Sequence, residues 1–251
     1  MQYSPLEQFE IIPLIPIRIN SFDVSFTNGT LIIIIVVLIT YLITKIIITK
    51  SKGIFIPNRW QALMEVVYKF IYGILKENAG KKGDFFFPFM FAIFMFLLIC
   101  NLSGIIPYSF TVTAHIVVTF TISLIIWIGS LVIGFRTHGL KYFTIFVPAG
   151  VPFVIIPIII PIEIISFIIP LISLGVRLFA NIISGHILLK VIVGFAWSII
   201  IAGGFIFIAH FIPIIVLFIL LFLETAVALI QAYIFTILSC LYIGNAIQGG
   251  H

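Results

Sequence analysis

Charge is scarce in this chain. Only 8% of its 251 residues are Asp, Glu, Lys or Arg, against roughly 25% in an ordinary soluble domain. So little charge cannot cover the surface of a water-soluble particle of this size. Soluble enzymes, nucleic-acid-binding domains and disordered tails are set aside together. Cysteine is nearly absent: Cys100 and Cys240 both lie in apolar runs and read as buried thiols rather than a disulfide. No Cys-x-x-Cys, P-loop or glycine-rich fingerprint occurs. His115, His138, His186 and His210 lie on separate segments with no paired spacing, so neither a metal site nor a bound cofactor is expected. The first ten residues carry Glu7 and Glu10 and no Lys or Arg, the wrong sign for a cleavable presequence.

Hydrophobic residues make up 63% of the chain. Long uninterrupted runs, such as Leu31 to Ile43 and Phe85 to Cys100, imply helical spans. A membrane β-barrel would instead alternate over stretches of about 10 residues. The expected fold is an all-α integral membrane protein with about five membrane helices. Residues 1–29 read as a surface segment and 30–49 as the first span. Residues 57–82 set Trp60, Leu63, Val66, Val67, Phe70, Ile71 and Ile74 at helical spacing opposite Arg59, Glu65, Lys69, Lys76 and Glu77. That pattern predicts an amphipathic helix lying on the membrane surface. Further spans are expected at 85–107, closed by Pro107, and at 113–135. The net charge of +5 reflects a cluster from Lys45 to Lys82 between the first two long runs. It is a positive-inside signal, not a phosphate-binding face, and it places the amino terminus outside.

The last 100 residues contain two apolar runs, 151–190 and 196–247. Forty helical residues extend about 60 Å, twice the roughly 30 Å hydrocarbon core. Each run is either two short spans or one long tilted helix held by a partner. Neither run has a clear polar turn inside it. The favoured arrangement is a long tilted hairpin with its tip near 191–197, outside. Pro152, Pro157, Pro161 and Pro170 are expected to start and kink the first helix, and Gly203, Gly204 and Pro213 to bend the second.

Four of the 21 charged side chains lie beyond Lys141: Glu163, Arg177, Lys190 and Glu224. A charge at bilayer depth is unfavourable by at least about 2.5–3.5 kcal/mol, so such residues are functional candidates. Projected on a helix, Ser166, Ser173, Asn181, Ser184 and Glu163 fall within about 40° of Arg177, and His186 falls on the opposite face. Glu163 precedes Arg177 by about 21 Å of helix, too far for an ion pair. On the second long run, Glu224 and Gln231 share a face, with His210 and Asn245 within about 40° of it. An antiparallel hairpin sets His186 and Glu224 toward the outer half and Glu163 and Asn245 toward the inner end. Protonatable groups at two depths with a fixed cation between them suggest an interrupted proton path. The bland alternatives are snorkelling for Lys190, interfacial placement for His210, and interhelical hydrogen bonding for Asn181 and Gln231.

The run Ser173-Leu-Gly-Val-Arg177-Leu-Phe-Ala-Asn181-Ile-Ile-Ser-Gly-His186 resembles the signature helix of subunit a of F-type ATP synthases. The stretch from Asn101 to Phe110, the start Ser4-Pro-Leu-Glu-Gln-Phe-Glu-Ile11, and the last run from Glu224 through Gln231-Ala-Tyr-Ile-Phe235 resemble other parts of that family. The resemblance covers almost the whole chain. It implies a proton-conducting stator subunit, non-catalytic alone, whose long hairpin lies against a ring of c subunits, with peripheral-stalk and other membrane subunits and lipid as further partners. Arg177 would match the family's essential arginine and separate two half-channels. His186, Glu224, Asn181, Gln231 and His210 would belong to the outer half-channel, and Glu163 and Asn245 to the inner one. Asn245 departs from the aspartate of many mitochondrial members, and an amide cannot exchange a proton near neutral pH. The inner path then rests on Glu163 and water. The resemblance implies a mitochondrial inner membrane location, with the carboxyl terminus on the matrix side. Two other readings remain: a structural or assembly subunit of a respiratory complex, which would not need Arg177, and a secondary transporter, which would show two related halves.

Overall fold

The computed structural model describes residues 7–19, 22–50, 58–106, 109–146, 155–202 and 209–248. Six α-helices dominate it: α1 (Asn28–Lys50), α2 (Arg59–Ala79), α3 (Phe87–Gly104), α4 (Ile116–His138), α5 (Ile156–Ala202) and α6 (Phe211–Gln248). All but α2 are apolar and long enough to cross a membrane, the second such stretch counted from Lys81 through α3. Their outward faces are apolar too: Ile34, Val37 and Leu38 of α1 are each more than half exposed. That inversion of a soluble protein's surface is what lipid or apolar partners require. The chain is an all-α integral membrane protein, as its composition implies.

Contacts divide the chain into two compact units. One comprises Met1–Ile39, Phe96–Ile116 and Arg177–Ala232; the other comprises Thr40–Met95, Val117–Val176 and Tyr233–His251.

The first unit opens with four very short strands, not anticipated from the sequence: β1 (Pro13–Ile15), β2 (Arg18–Ile19), β3 (Phe22–Asp23) and β4 (Phe26–Thr27). They form nested antiparallel pairs, β1 with β4 and β2 with β3. Strands of two or three residues leave no readable alternation. Asn28 ties this hairpin to α1, its side chain donating to the Glu10 carbonyl and accepting from the Ile12 amide. Thr27 and Thr30 exchange amide-to-hydroxyl bonds at the start of α1, satisfying amide donors that the helix leaves open. In this unit α5 and α6 run antiparallel. Asn181 meets Gln231, and Gly185, one turn on, meets Glu224, one heptad back. Asn101 of α3 donates to the Ala228 carbonyl of α6.

In the second unit α2 has the amphipathic pattern its sequence implies. Asn58 caps its start, and Gly80 ends it with a positive φ of 62° that favours glycine. Ile71, Ile74, Leu75 and Ala79 are buried, while Trp60, Leu63, Val66 and Phe70 of the expected apolar stripe are exposed, as are Arg59, Glu65, Lys69, Lys76 and Glu77. Tyr68 and Tyr72 pack on Phe87 of α3 at 4.5 and 5.7 Å. Small side chains let α4 meet α5 closely: a Cβ on Gly175 would stand 3.1 Å from the Phe120 backbone. Trp127 donates to the Phe167 carbonyl. Thr137 and His138 at the end of α4 bond the Ala246 and Ile247 carbonyls of α6.

The hairpin tip expected near 191–197 is helix instead. Described α5 continues to Ala202 and α6 begins at Phe211, so residues 196–201 belong to α5 and not to the last helix. Val191 to Ala202 contains no proline, and the isolated Gly194 does not stop a helix. Lys190 therefore lies well inside α5, half-buried, rather than at a tip. Pro213 falls in the first turn of α6, where a missing amide is harmless. Pro161 and Pro170 lie within continuous α5. The expected roles of Pro107, Pro152, Gly203 and Gly204 fall outside the described residues.

Candidate functional site

The long helices bring polar groups together inside the first unit. A cavity of about 190 Å³ is lined by Asn101, Asn181, Gly185, Leu189, Glu224 and Gln231 among aliphatic side chains. Asn181 donates to Gln231 Oε1 at 3.2 Å. Their interhelical bond is thus real, and both residues also line the cavity. Glu224 and Gln231 are 9% and 3% exposed, and Asn101 is fully buried. Asn101 Oδ1, Glu224 Oε2 and Gln231 Nε2 are buried without a protein partner. Buried polar atoms left unpaired are unfavourable by about 1–3 kcal/mol each, so such a cluster calls for water or a partner group. The cavity is large and polar enough for several water molecules.

Gly185 seats the carboxylate. A Cβ there would lie 2.5 Å from Glu224 Oε1. A larger residue at this position would have to push the glutamate carboxylate aside, because α6 presents it directly against the α5 backbone.

His186 is buried, but it lines a different cavity. This one, of about 100 Å³, is formed with Gln8, Leu189, Lys190, Val193 and Leu217. Leu189 borders both cavities, so His186 and Glu224 line neighbouring cavities rather than one. Thr111 Oγ1 is 3.2 Å from His186 Nε2, and the ring also bonds the Gly104 backbone. Phe9 packs edge-on against the imidazole, with centroids 5.3 Å apart. Phe9 is itself buried with Ala114 and Ile182. Both amide atoms of Gln8 are buried without a protein partner.

Arg177 lies on α5 one turn before Asn181 and is exposed on the chain's own surface. His210 does not occupy the expected helical face. It precedes α6, is 8% exposed and packs at a tilt on Phe211, with ring centroids 4.3 Å apart. Glu163 and Asn245 belong to the second unit. Glu163 is half-buried near the start of α5, and Asn245 is exposed in the last turn of α6. No hydrogen bond joins them among the described residues.

Four residues of this site had no individual role in the sequence reading: Gln8, Phe9, Asn101 and Thr111. Asn101 had a usable signal, a lone amide within an apolar run. The others come near His186 only through tertiary packing.

A sequence profile of the family described as ATP synthase A chain matches residues 30–244. The chain belongs to the ATP synthase A chain family. It is 47% identical over 245 residues to ATP synthase subunit a of Chondrus crispus, covering 98% of this chain and 96% of that protein. It is 43% identical over 251 residues to subunit a of Marchantia polymorpha, covering 99% of each. Subunit a of the bacterium Paramagnetospirillum magneticum is 44% identical over 249 residues, with 98% of each covered. The polar cavity lies wholly within the matched residues. Gln8 and Phe9 lie before the matched range.

Proposed function

We propose that the chain is the proton-conducting stator subunit of a rotary ATP synthase and performs no covalent step itself. The observation that carries this reading is the cavity holding Glu224, Gln231, Asn181 and Asn101, one helical turn from an exposed Arg177. Glu224 is the titratable group of that cavity. It takes a proton that reaches it past His186 and Leu189, and the amides of Asn181, Gln231 and Asn101 hold the water that carries the proton on. Gln8 and His186 form the outer entrance. Thr111 and Phe9 fix the imidazole there.

Arg177 ends this outer half-path. Its guanidinium stays charged at any physiological pH. It favours the ionised form of a carboxylate on a passing c subunit and blocks direct proton flow to the inner side. The attraction must stay comparable with the drive. A unit charge crossing 100 mV gains about 2.3 kcal/mol, so a much stronger pair would stall rotation, and hydration around the pair weakens it. On the inner side Glu163 releases the proton, and Asn245 serves only as a hydrogen-bonding group. The long hairpin of α5 and α6 lies tilted against the c-ring. Peripheral-stalk subunits hold the chain still in the mitochondrial inner membrane, with its amino terminus in the intermembrane space.

The test is ATP-driven acidification of vesicles holding the assembled complex with Glu224→Gln. An amide of the same shape keeps the packing and removes the exchangeable proton. Acidification should fall about a hundredfold or more, the usual scale for removing a proton-transfer group. Native acidification would overturn the outer path.

A further inference from the structure

A third crevice, in the other unit, lies apart from the residues assigned to the proton path. Its volume is about 340 Å³, and its walls include Phe86, Phe89, Ile126, Gly129, Val132 and Ile133. The one hydroxyl nearby, on Ser130, is turned back onto the Trp127 carbonyl. The crevice is therefore an apolar slot. Its floor is buried at Ile126, while Phe89 and Val132 stand about half exposed at its rim.

Gly129 identifies the slot as space for something outside this chain. A glycine inside a helix is less favourable than alanine, and it is usually explained by a turn or a close helix contact. Neither applies here: a Cβ at Gly129 would meet nothing within 4 Å. An apolar cavity of about 150 Å³ already accommodates a benzene ring. More than twice that volume suits a segment of hydrocarbon chain.

The charges give the occupant its class. Arg136 follows Ile133 by three residues and Gly129 by seven, so it lies on the same face of α4, one turn past the slot. It is exposed. Lys81 and Lys82, also exposed, open the 3-10 turn Lys81–Phe86 that ends in the slot's own wall. Asp84 in that turn is engaged by the Tyr72 hydroxyl. A hydrocarbon slot between membrane helices with a basic collar at one end matches a lipid with a negative headgroup. We propose that this crevice binds one acyl chain of an anionic phospholipid, whose headgroup is held by Arg136, Lys81 and Lys82.

The complex, reconstituted in phosphatidylcholine vesicles, is doped with phosphatidylglycerol carrying a photoactivatable acyl chain, or with the phosphatidylcholine analogue of the same chain. Cross-linked peptides are mapped. The anionic probe should label residues 86–89 and 126–133 several-fold more than the zwitterionic one. Gly129→Leu, which puts a side chain into the slot from a position where a Cβ meets nothing within 4 Å, should abolish that labelling. Arg136→Gln should reduce anionic labelling about fivefold, as expected for the loss of one interfacial cation. Equal labelling by both probes would overturn the proposal, as would absent labelling there while Val37 and Leu38 of α1 are labelled. The second result would mean that a protein subunit covers the slot. The native complex alone decides between these outcomes, so the conclusion survives a variant that fails to assemble.

Discussion

Glycine 185 separates two physical effects that point in opposite directions. Replacing a helical glycine by alanine ordinarily stabilises by up to about 1 kcal/mol. Here the new methyl group would collide with the Glu224 carboxylate. Gly185→Ala should therefore leave the complex assembled and lower ATP-driven proton pumping severalfold. Undiminished pumping would mean that the position of Glu224 is unimportant. Asn101→Leu is a related case. It keeps the volume but removes the amide that faces the cavity and the bond to the Ala228 carbonyl. ATP-driven pumping should fall severalfold, and unchanged pumping would remove Asn101 from the path. At this scale the sequence was partly legible. Spacing put Glu224 and Gln231 on one face, and both now line one cavity with Asn181. It did not foresee that His186 and Glu224 line separate cavities, because a helical projection gives angle and depth but not which neighbours fill the gap.

Helices were legible where composition alone decides them. Spans α1, α3 and α4 lie close to their expected ranges, and Gly80 ends α2 within a few residues of the expected boundary. The end of α5 was misplaced because Val191 to Ala202 has no local signal that separates a turn from more helix. The strands before α1 were missed because their register depends on pairing, not on periodicity. Two predictions belong here. A Cβ on Gly134 of α4 would run into the Tyr142 ring, which lies in the 3-10 segment after that helix. Gly134→Ala should destabilise by about 1–3 kcal/mol, the scale of overpacking, and thermal denaturation of the purified complex would register it. His115, just before α4, is half-buried, and burial pushes its imidazole below the usual 6.5. The folded state then binds that proton less readily than the unfolded chain. Its contribution to stability is full above the unfolded value and is lost as pH falls through it. His115→Asn should shrink the loss of thermal stability between neutral and mildly acidic pH. An unchanged loss would assign the acid sensitivity elsewhere.

Among the described residues five helices are long and apolar enough to cross a membrane, and one crossing by each would set Asp23 and Gln248 on opposite sides. Cysteines introduced at Asp23 and at Gln248 should react with an impermeant maleimide from opposite faces, the latter from the side bearing the Lys45 to Lys82 cluster. Native Cys100 and Cys240 are buried and should stay silent. Labelling of both sites from one face would contradict the topology. Membrane class was legible at this scale because too few charges exist to solvate any other kind of particle. The role of Arg177 was legible only as a cation too deep in an apolar run to be accidental. Its exposure on the chain's own surface, one turn from the polar cavity, turns that hint into a specific claim about a charge barrier. The most direct test is passive proton flux, together with ATP-driven pumping, through vesicles holding the assembled complex, native against Arg177→Ala. A barrier between two half-paths requires pumping to be lost and passive leak to rise. Coupled pumping that persists unchanged would contradict it and leave Arg177 a structural residue.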